Sequence, residues 1–477
     1  MNVLIAIALL VALVWAAIYV LRGSPVQGLL AFLVIGAVLG HPFFHFELGP
    51  LPLTLDRLLL AVLLAAFVAQ RVLGNADPKP WRKEDLLLVA LVAWIVLSGS
   101  LAGWYGESVA PWEPLWRLLG GYLVPLVVYW IARQSRLGPR ELSATHGLLV
   151  ALGAYLAVTG ICEITQQWWA VFPAHIADPK LGIHFGRARG PMGHAVSFGF
   201  YTATCLLAVW VYRWRFGRVG RAVLLLLAPL LALGVLCSFT RSVWMGVGLA
   251  ALAVLTATLH GRTRVLVVGG LAASALLVAV VGMESLSQMQ REDSAADSRK
   301  SVSMRACFTY VSWMMFCDRP LLGCGFGQFP NQKLPYLADR STDLTLEDIR
   351  EYVHHNTFLS LLTELGAVGL GLLLALLAGW FRAAWRLAQA SNLPDWARAQ
   401  GVLMLGTLAV YVCQALFHEL TYTPICNSLL FLLAGLTMGL QPLLDASPAA
   451  ATPHADEQPR RARPGLPSPT FTWLRRA

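Results

Sequence analysis

Charge is what this chain has least of. Asp, Glu, Lys and Arg make up only 13% of its 477 residues, against about 25% in an ordinary soluble domain. With 57% hydrophobic residues beside it, that deficit excludes a soluble globular protein and puts most of the chain in lipid. Several chemical signatures are missing as well. None of the eight cysteines sits in a Cys-x-x-Cys pair, which excludes the common zinc and redox spacings. The glycine-rich stretches are not followed by Gly-Lys-Ser/Thr, so a phosphate loop is not supported. There is no Asp-x-Asp motif for a metal-bound sugar nucleotide. The formal charge of +10 does not mark a nucleic-acid partner. No basic-aromatic binding motif accompanies it, and most of the basic residues fall in short loops between apolar runs, as the positive-inside rule requires.

The apolar runs predict an all-α, polytopic transmembrane bundle of about 12–14 spans. They lie near residues 2–21, 26–43, 55–73, 85–103, 115–132, 142–163, 194–212, 222–237, 242–259, 265–283, 356–380, 401–419 and 425–443. No basic residue precedes the first run, and it is too long for a signal peptide, so it is expected to be a retained span. Loops holding Arg71, Lys79, Arg82 and Lys83, then Arg133, Arg136 and Arg140, then Arg213, Arg215, Arg218 and Arg221, then Arg382 and Arg386, define the cytoplasmic side. Two long loops, 164–193 and 284–354, fall on the other side. The expected organisation is N-terminal transmembrane helices over 1–283, a periplasmic loop or lid over 284–354, C-terminal transmembrane helices over 355–444 and a disordered cytoplasmic tail over 445–477, rich in Pro, Ala and Arg.

Inside the long loop, Met304, Phe308, Val311 and Met315 share one helical stripe, while Arg305, Thr309 and Ser312 fall on the opposite one. This predicts an amphipathic helix resting on the outer surface. Cys307, Cys317 and Cys324 share the same loop, where an oxidising compartment would allow a disulfide. The remaining cysteines read as small packing residues.

A minority of basic residues break the charge bias: Arg57, Arg117, Arg187, Arg189, Arg241, Arg305 and Arg319 lie at or near the outer edge. The planar, permanently charged guanidinium suits a diphosphate at headgroup level; the alternative is that each one snorkels to ordinary headgroups. Arg241 sits in SFTRSVWMG, a charged turn between two apolar runs that calls for a partner. Arg189 sits in GRARGPMGHAVSFG, an irregular stretch of the kind tolerated near lipid only when buried or lining a wet cavity. In HHNTFLSLLTELGAVGLG, His355 and Asn356 open a span at its outer end. A histidine there takes a proton near neutral pH, while Asn356, and less well His354, also suit a helix cap. Glu364, two and a half turns deeper, is either a functional carboxylate or a structural hydrogen-bond partner for a neighbouring helix. Trp168, Trp169 and Phe172 suit sugar stacking or an interfacial belt equally well.

The order SFTRSVWMG, a long loop with an arginine-bearing helix, DRPLLGCGFGQF, then HHNTFLSLLTELGAVGLG resembles the O-antigen ligase and polymerase superfamily. RARGPMGHA and PLTLDR, at Pro52–Arg57, are similar to family members too. The resemblance implies a metal-independent membrane glycosyltransferase of GT-C type, without cofactor, on the periplasmic face of the bacterial inner membrane. Its donor would be an undecaprenyl-diphosphate-linked glycan and its acceptor lipid A–core. A growing glycan (polymerase) or a protein (oligosaccharyltransferase) are alternative acceptors. The family's histidine maps onto His355, and its diphosphate-binding arginines onto Arg189, Arg241 and, on the loop helix, Arg305. His354, Asn356 and Glu364 are supporting candidates. A small-solute transporter is the rival class; it would place ionisable sites near mid-membrane, whereas here the polar residues gather at one face.

Overall fold

The computed structural model describes residues 23–40, 43–48, 51–74, 78–104, 113–259, 261–270 and 295–445. Among these, nine helices are long and apolar enough to cross a membrane: α3 (Lys83–Ala102), α4 (Glu113–Gln134), α5 (Pro139–Ile164), α6 (Ala195–Arg215), α7 (Arg218–Cys237), α8 (Arg241–Thr258), α10 (Thr357–Gln389), α11 (Asp395–Ala415) and α12 (Pro424–Asp445). Three further elements complete the frame: α1 (Pro25–Val38), α2 (Leu55–Val72) and α9 (Ala295–Asp318). The protein is an all-α, polytopic membrane protein.

Helix starts follow local chemistry. Pro139 opens α5, where its missing N–H costs nothing. The His194 ring accepts from Ser197 N ahead of α6, and Asn356 Oδ1 accepts from Leu359 N at 2.9 Å ahead of α10. In the centre α8 runs along α11, α12 along α4, and α10 along both α11 and α3.

Two of the expected spans take another form. The run at 26–43 stops being helical at Val38. Fourteen residues rise only about 21 Å, short of a bilayer core of about 30 Å. The chain then forms an unexpected antiparallel hairpin, β1 (His45–Leu48) with β2 (Leu51–Thr54), in register His45↔Thr54. The run at 55–73 is a helix, α2, but Asp56, Arg57 and Arg71 set it apart from the nine. The expected span 2–21, most of 265–283, the loop residues 284–294 and the tail beyond Asp445 lie outside the described residues.

The loop helix α9 is also placed differently from its expected surface position. Met304, Phe308, Val311 and Met315 are buried, yet they pack into a satellite core with Phe329, Leu337, Leu346 and Ile349 from the rest of the loop. The greasy stripe is covered by protein. Arg305 and Thr309 are exposed as expected, but Ser312 is buried, because the loop wraps more of the helix than one stripe. Cys307 and Cys324 are buried, Cys317 is exposed, and all three are free thiols.

Candidate active site

The glycine-rich motif and the motif after His355 are two halves of one joint. Helix α10 is broken at Gly366, whose φ of 67° and ψ of −167° suit only glycine. A break within a span strands backbone groups that must find partners. They find them in the loop. Cys324 N donates to Thr363 O at 2.9 Å, Gly325 N to Glu364 O at 2.9 Å, and Ala367 N to Pro320 O at 2.8 Å. Trp94 Nε1 covers Leu365 O at 3.2 Å. The fit is close: a Cβ at Gly366 would stand 2.2 Å from Leu321 O, and one at Gly323 2.4 Å from Glu364 C.

Glu364 locks this joint from the side. Arg117 Nη1 donates to its two carboxylate oxygens at 2.9 and 3.0 Å, Nη2 to Ser360 Oγ at 3.1 Å and Nε to Thr421 Oγ1 at 3.2 Å. Both members of the pair are buried, and the guanidinium lies between the Phe326 and Tyr422 rings. Of the two readings of Glu364, the geometry matches the structural one.

Just ahead of the broken helix, His354 is buried and His355 exposed, although both rings lie near Phe308. His354 is 3% exposed, with its ring centroid 3.6 Å from that of Phe329, and neither ring nitrogen has a hydrogen-bond partner among the described residues. Burial, helped by the nearby Arg117 and Lys333 charges, holds its pKa well below the ordinary value. His355 is exposed and meets Phe308 edge-on at 5.2 Å. The surrounding protein, and next the Arg305 charge, lower its pKa. Lys333 fixes the segment just before them, donating from Nζ to Ile349 O at 2.6 Å and to Tyr352 O. Burial pulls its pKa down to about 8.

Among the described residues, the charges gathered near His355 are cationic. Arg305 stands over Phe417 at 5.9 Å and has its pKa lowered by burial and then by Arg241. Arg241, exposed at the start of α8, makes no ion pair or side-chain hydrogen bond among the described residues. His418 bonds Ser242 Oγ through Nε2 at 2.9 Å. Burial, then His194, Arg305, His355 and His184, pull its pKa down to about 3. Asn356 Nδ2 and Thr357 Oγ1 tie this corner together, donating to Leu416 O and His418 O. Among the described residues, no carboxylate stands with the cations and imidazoles that shift His355, Arg305 and His418. Such a cluster can hold a polyanion and keep an imidazole neutral beside it.

Arg189 is engaged elsewhere. It is 1% exposed, and its guanidinium faces inward, paired with Glu163 at 3.4 Å and donating to the carbonyls of Ile176, Asp178 and Leu181. Backbone N–H groups of Arg189 and Gly190 also donate to Glu163. The expected diphosphate ligand instead clamps the 164–194 loop. Sequence reasoning missed His418, whose signal was an ionisable His-Glu step just past an apolar run. It also missed the pairing of Arg117 with Glu364. A cavity of about 390 Å³ opens beside His194, lined by apolar Phe32, Leu33 and Ile425 and by polar Arg57, Ser197 and Tyr422. Among the described residues no three His, Cys, Asp or Glu side chains are grouped to hold a metal ion.

Residues 226–374 carry an O-antigen ligase domain. That stretch of the chain matches the family's model, from within α7 to the middle of α10. The O-antigen ligase domain thus contains Arg241, Arg305, His355, Glu364 and both halves of the glycine joint, while Arg189 and His418 lie outside it. Members of that family are membrane glycosyltransferases or ligases, and the match spans 149 of the 477 residues (226–374). No curated protein matches the chain.

Proposed function

We propose that this protein transfers a glycan from undecaprenyl diphosphate to the lipid A–core acceptor, on the periplasmic face of the bacterial inner membrane. The observation that carries the reading is the cluster of Arg241 and Arg305 beside an exposed, neutral-leaning His355, with no carboxylate paired to either arginine among the described residues. The two guanidinium groups take the diphosphate. His355 accepts the acceptor hydroxyl's proton as that oxygen attacks the anomeric carbon. The bond from that carbon to the diphosphate oxygen breaks, inverting the configuration. The arginines stabilise the charge arriving on the leaving group, which supplies electrostatically what a metal ion would. The amphipathic cavity beside His194 takes the lipid-proximal part of the carrier. The loop 284–354 is the lid and acceptor platform, and Arg189 holds the neighbouring loop in shape.

The test is a deletion strain complemented with wild type or His355→Ala, followed by analysis of envelope glycolipids. Loss of long-chain glycolipid with accumulation of carrier-linked long glycan, in both the deletion and the variant, is expected. Short free repeat units instead would mean a polymerase, and an unchanged profile in the deletion would remove the lipid A–core acceptor.

A further inference from the structure

A second cationic site lies at the far end of the bundle. Its cavity, about 400 Å³, is lined by Trp81, Arg82, Lys83, Arg382, Arg386 and, on its apolar side, Ala383 and Met438. Arg382 and Arg386 are one turn apart on α10, so they project from the same helix face. Helix α3 starts at Lys83 in the cavity wall and runs unbroken for 20 residues, about 30 Å or one bilayer core, to where Gln328 of the outer loop donates to Gly103 O. This cavity therefore sits in the opposite headgroup layer from the candidate active site.

The charges there are not balanced. Glu84 is the one carboxylate lining the cavity, and it is packed against the backbone at Gly379. Arg82 reaches Asp445, whose side chain is 65% exposed. Lys83, Arg382 and Arg386 make no ion pair among the described residues. Trp81, tilted by 46° against Trp130 with ring centroids 4.6 Å apart, supplies the amphipathic ring that favours the membrane interface. Like-charged side chains converging on a concave space at headgroup depth are costly unless an anion joins them.

We propose that this cavity is a binding site for the phosphate headgroup of an anionic phospholipid. Arg382, Arg386 and Lys83 contact the phosphate oxygens, and Trp81 and Met438 contact the glycerol and upper acyl region. A soluble phosphate would use the same cations but not the apolar side, which is why a lipid is the assigned ligand.

The test uses the full chain in nanodiscs of phosphatidylcholine doped with cardiolipin, with retained lipids counted by native mass spectrometry. Wild type is expected to retain cardiolipin, and Arg382→Gln/Arg386→Gln to retain roughly tenfold less. Arg215→Gln/Arg218→Gln, which removes two cations from another loop, is expected to match wild type. Equal retention by the Arg382/Arg386 pair and wild type, or equal loss in both pairs, overturns the site. If the glutamine pair does not fold, Lys83→Gln is measured in its place, with a smaller loss expected and no loss overturning the proposal. Stabilisation of wild type by inorganic pyrophosphate in pure phosphatidylcholine that is lost in Arg382→Gln/Arg386→Gln, with none from cardiolipin, would assign the cavity to a soluble anion and overturn the lipid.

Discussion

The arginines at the outer end of this bundle are of two kinds, and the contrast separates scaffold from chemistry. Arg117 and Arg189 are buried, each faces a carboxylate, and their remaining N–H groups go mostly to hydroxyls or backbone carbonyls. Arg241 and Arg305 sit in exposed positions, with cations and histidines for neighbours and no ion pair to an acid among the described residues. A buried guanidinium survives only when fully paired, so the first two are committed to the fold. The second two keep their donors for a ligand.

This division is broken first by removing a paired arginine. Arg117→Met leaves Glu364 charged and unpartnered at the helix break. It should cost about 3–5 kcal/mol of stability, read as a lower melting temperature in micelles. Arg117→Met/Glu364→Leu should recover most of that loss. A double variant no better than the single one would mean that the pair is not what Glu364 depends on. Gly366→Ala forces an L-residue into a glycine conformation against the Leu321 carbonyl. It should cost at least about 1–3 kcal/mol, with transfer falling as the joint loosens, and thermal unfolding beside a transfer assay checks both. Asn356→Ala removes a helix cap and should cost about 1 kcal/mol, a small downward shift in the same melting curve.

The mildest change sharpens the comparison on the side of chemistry. The Arg305 charge helps hold His355 below its ordinary pKa. A depressed pKa means that His355 gives up its proton at lower pH, so activity that needs neutral imidazole is lost only in acid. Removing the charge in Arg305→Ala lets the pKa rise. The acid limb of the pH–rate profile should then move to higher pH, whereas a limb that stays put would detach His355 from Arg305.

Much of this was legible in advance because it is written in local pattern. Nine spans follow from apolar runs, and the α9 stripe of Met304, Phe308, Val311 and Met315 follows from helical spacing. The outward His355 was marked by its place at the head of a span. What escaped depends on contacts between distant segments. Arg189 reads like Arg241 until Glu163 and three backbone carbonyls close around it. Glu364 had two readings until Arg117, 247 positions away in sequence, arrived beside it. Ser312 was assigned outward because one stripe does not reveal how far a loop wraps. The paired strands 45–48 and 51–54 fall in the short connection between the runs at 26–43 and 55–73, where no local pattern called for strands.

The most direct test of the division is the affinity of purified protein in nanodiscs for undecaprenyl diphosphate, wild type against Arg241→Ala, with melting temperature measured on the same samples. Affinity should fall by about one to two orders of magnitude, the worth of a lost charge-assisted contact, with melting temperature nearly unchanged. Wild-type affinity in a fully folded Arg241→Ala would contradict the division.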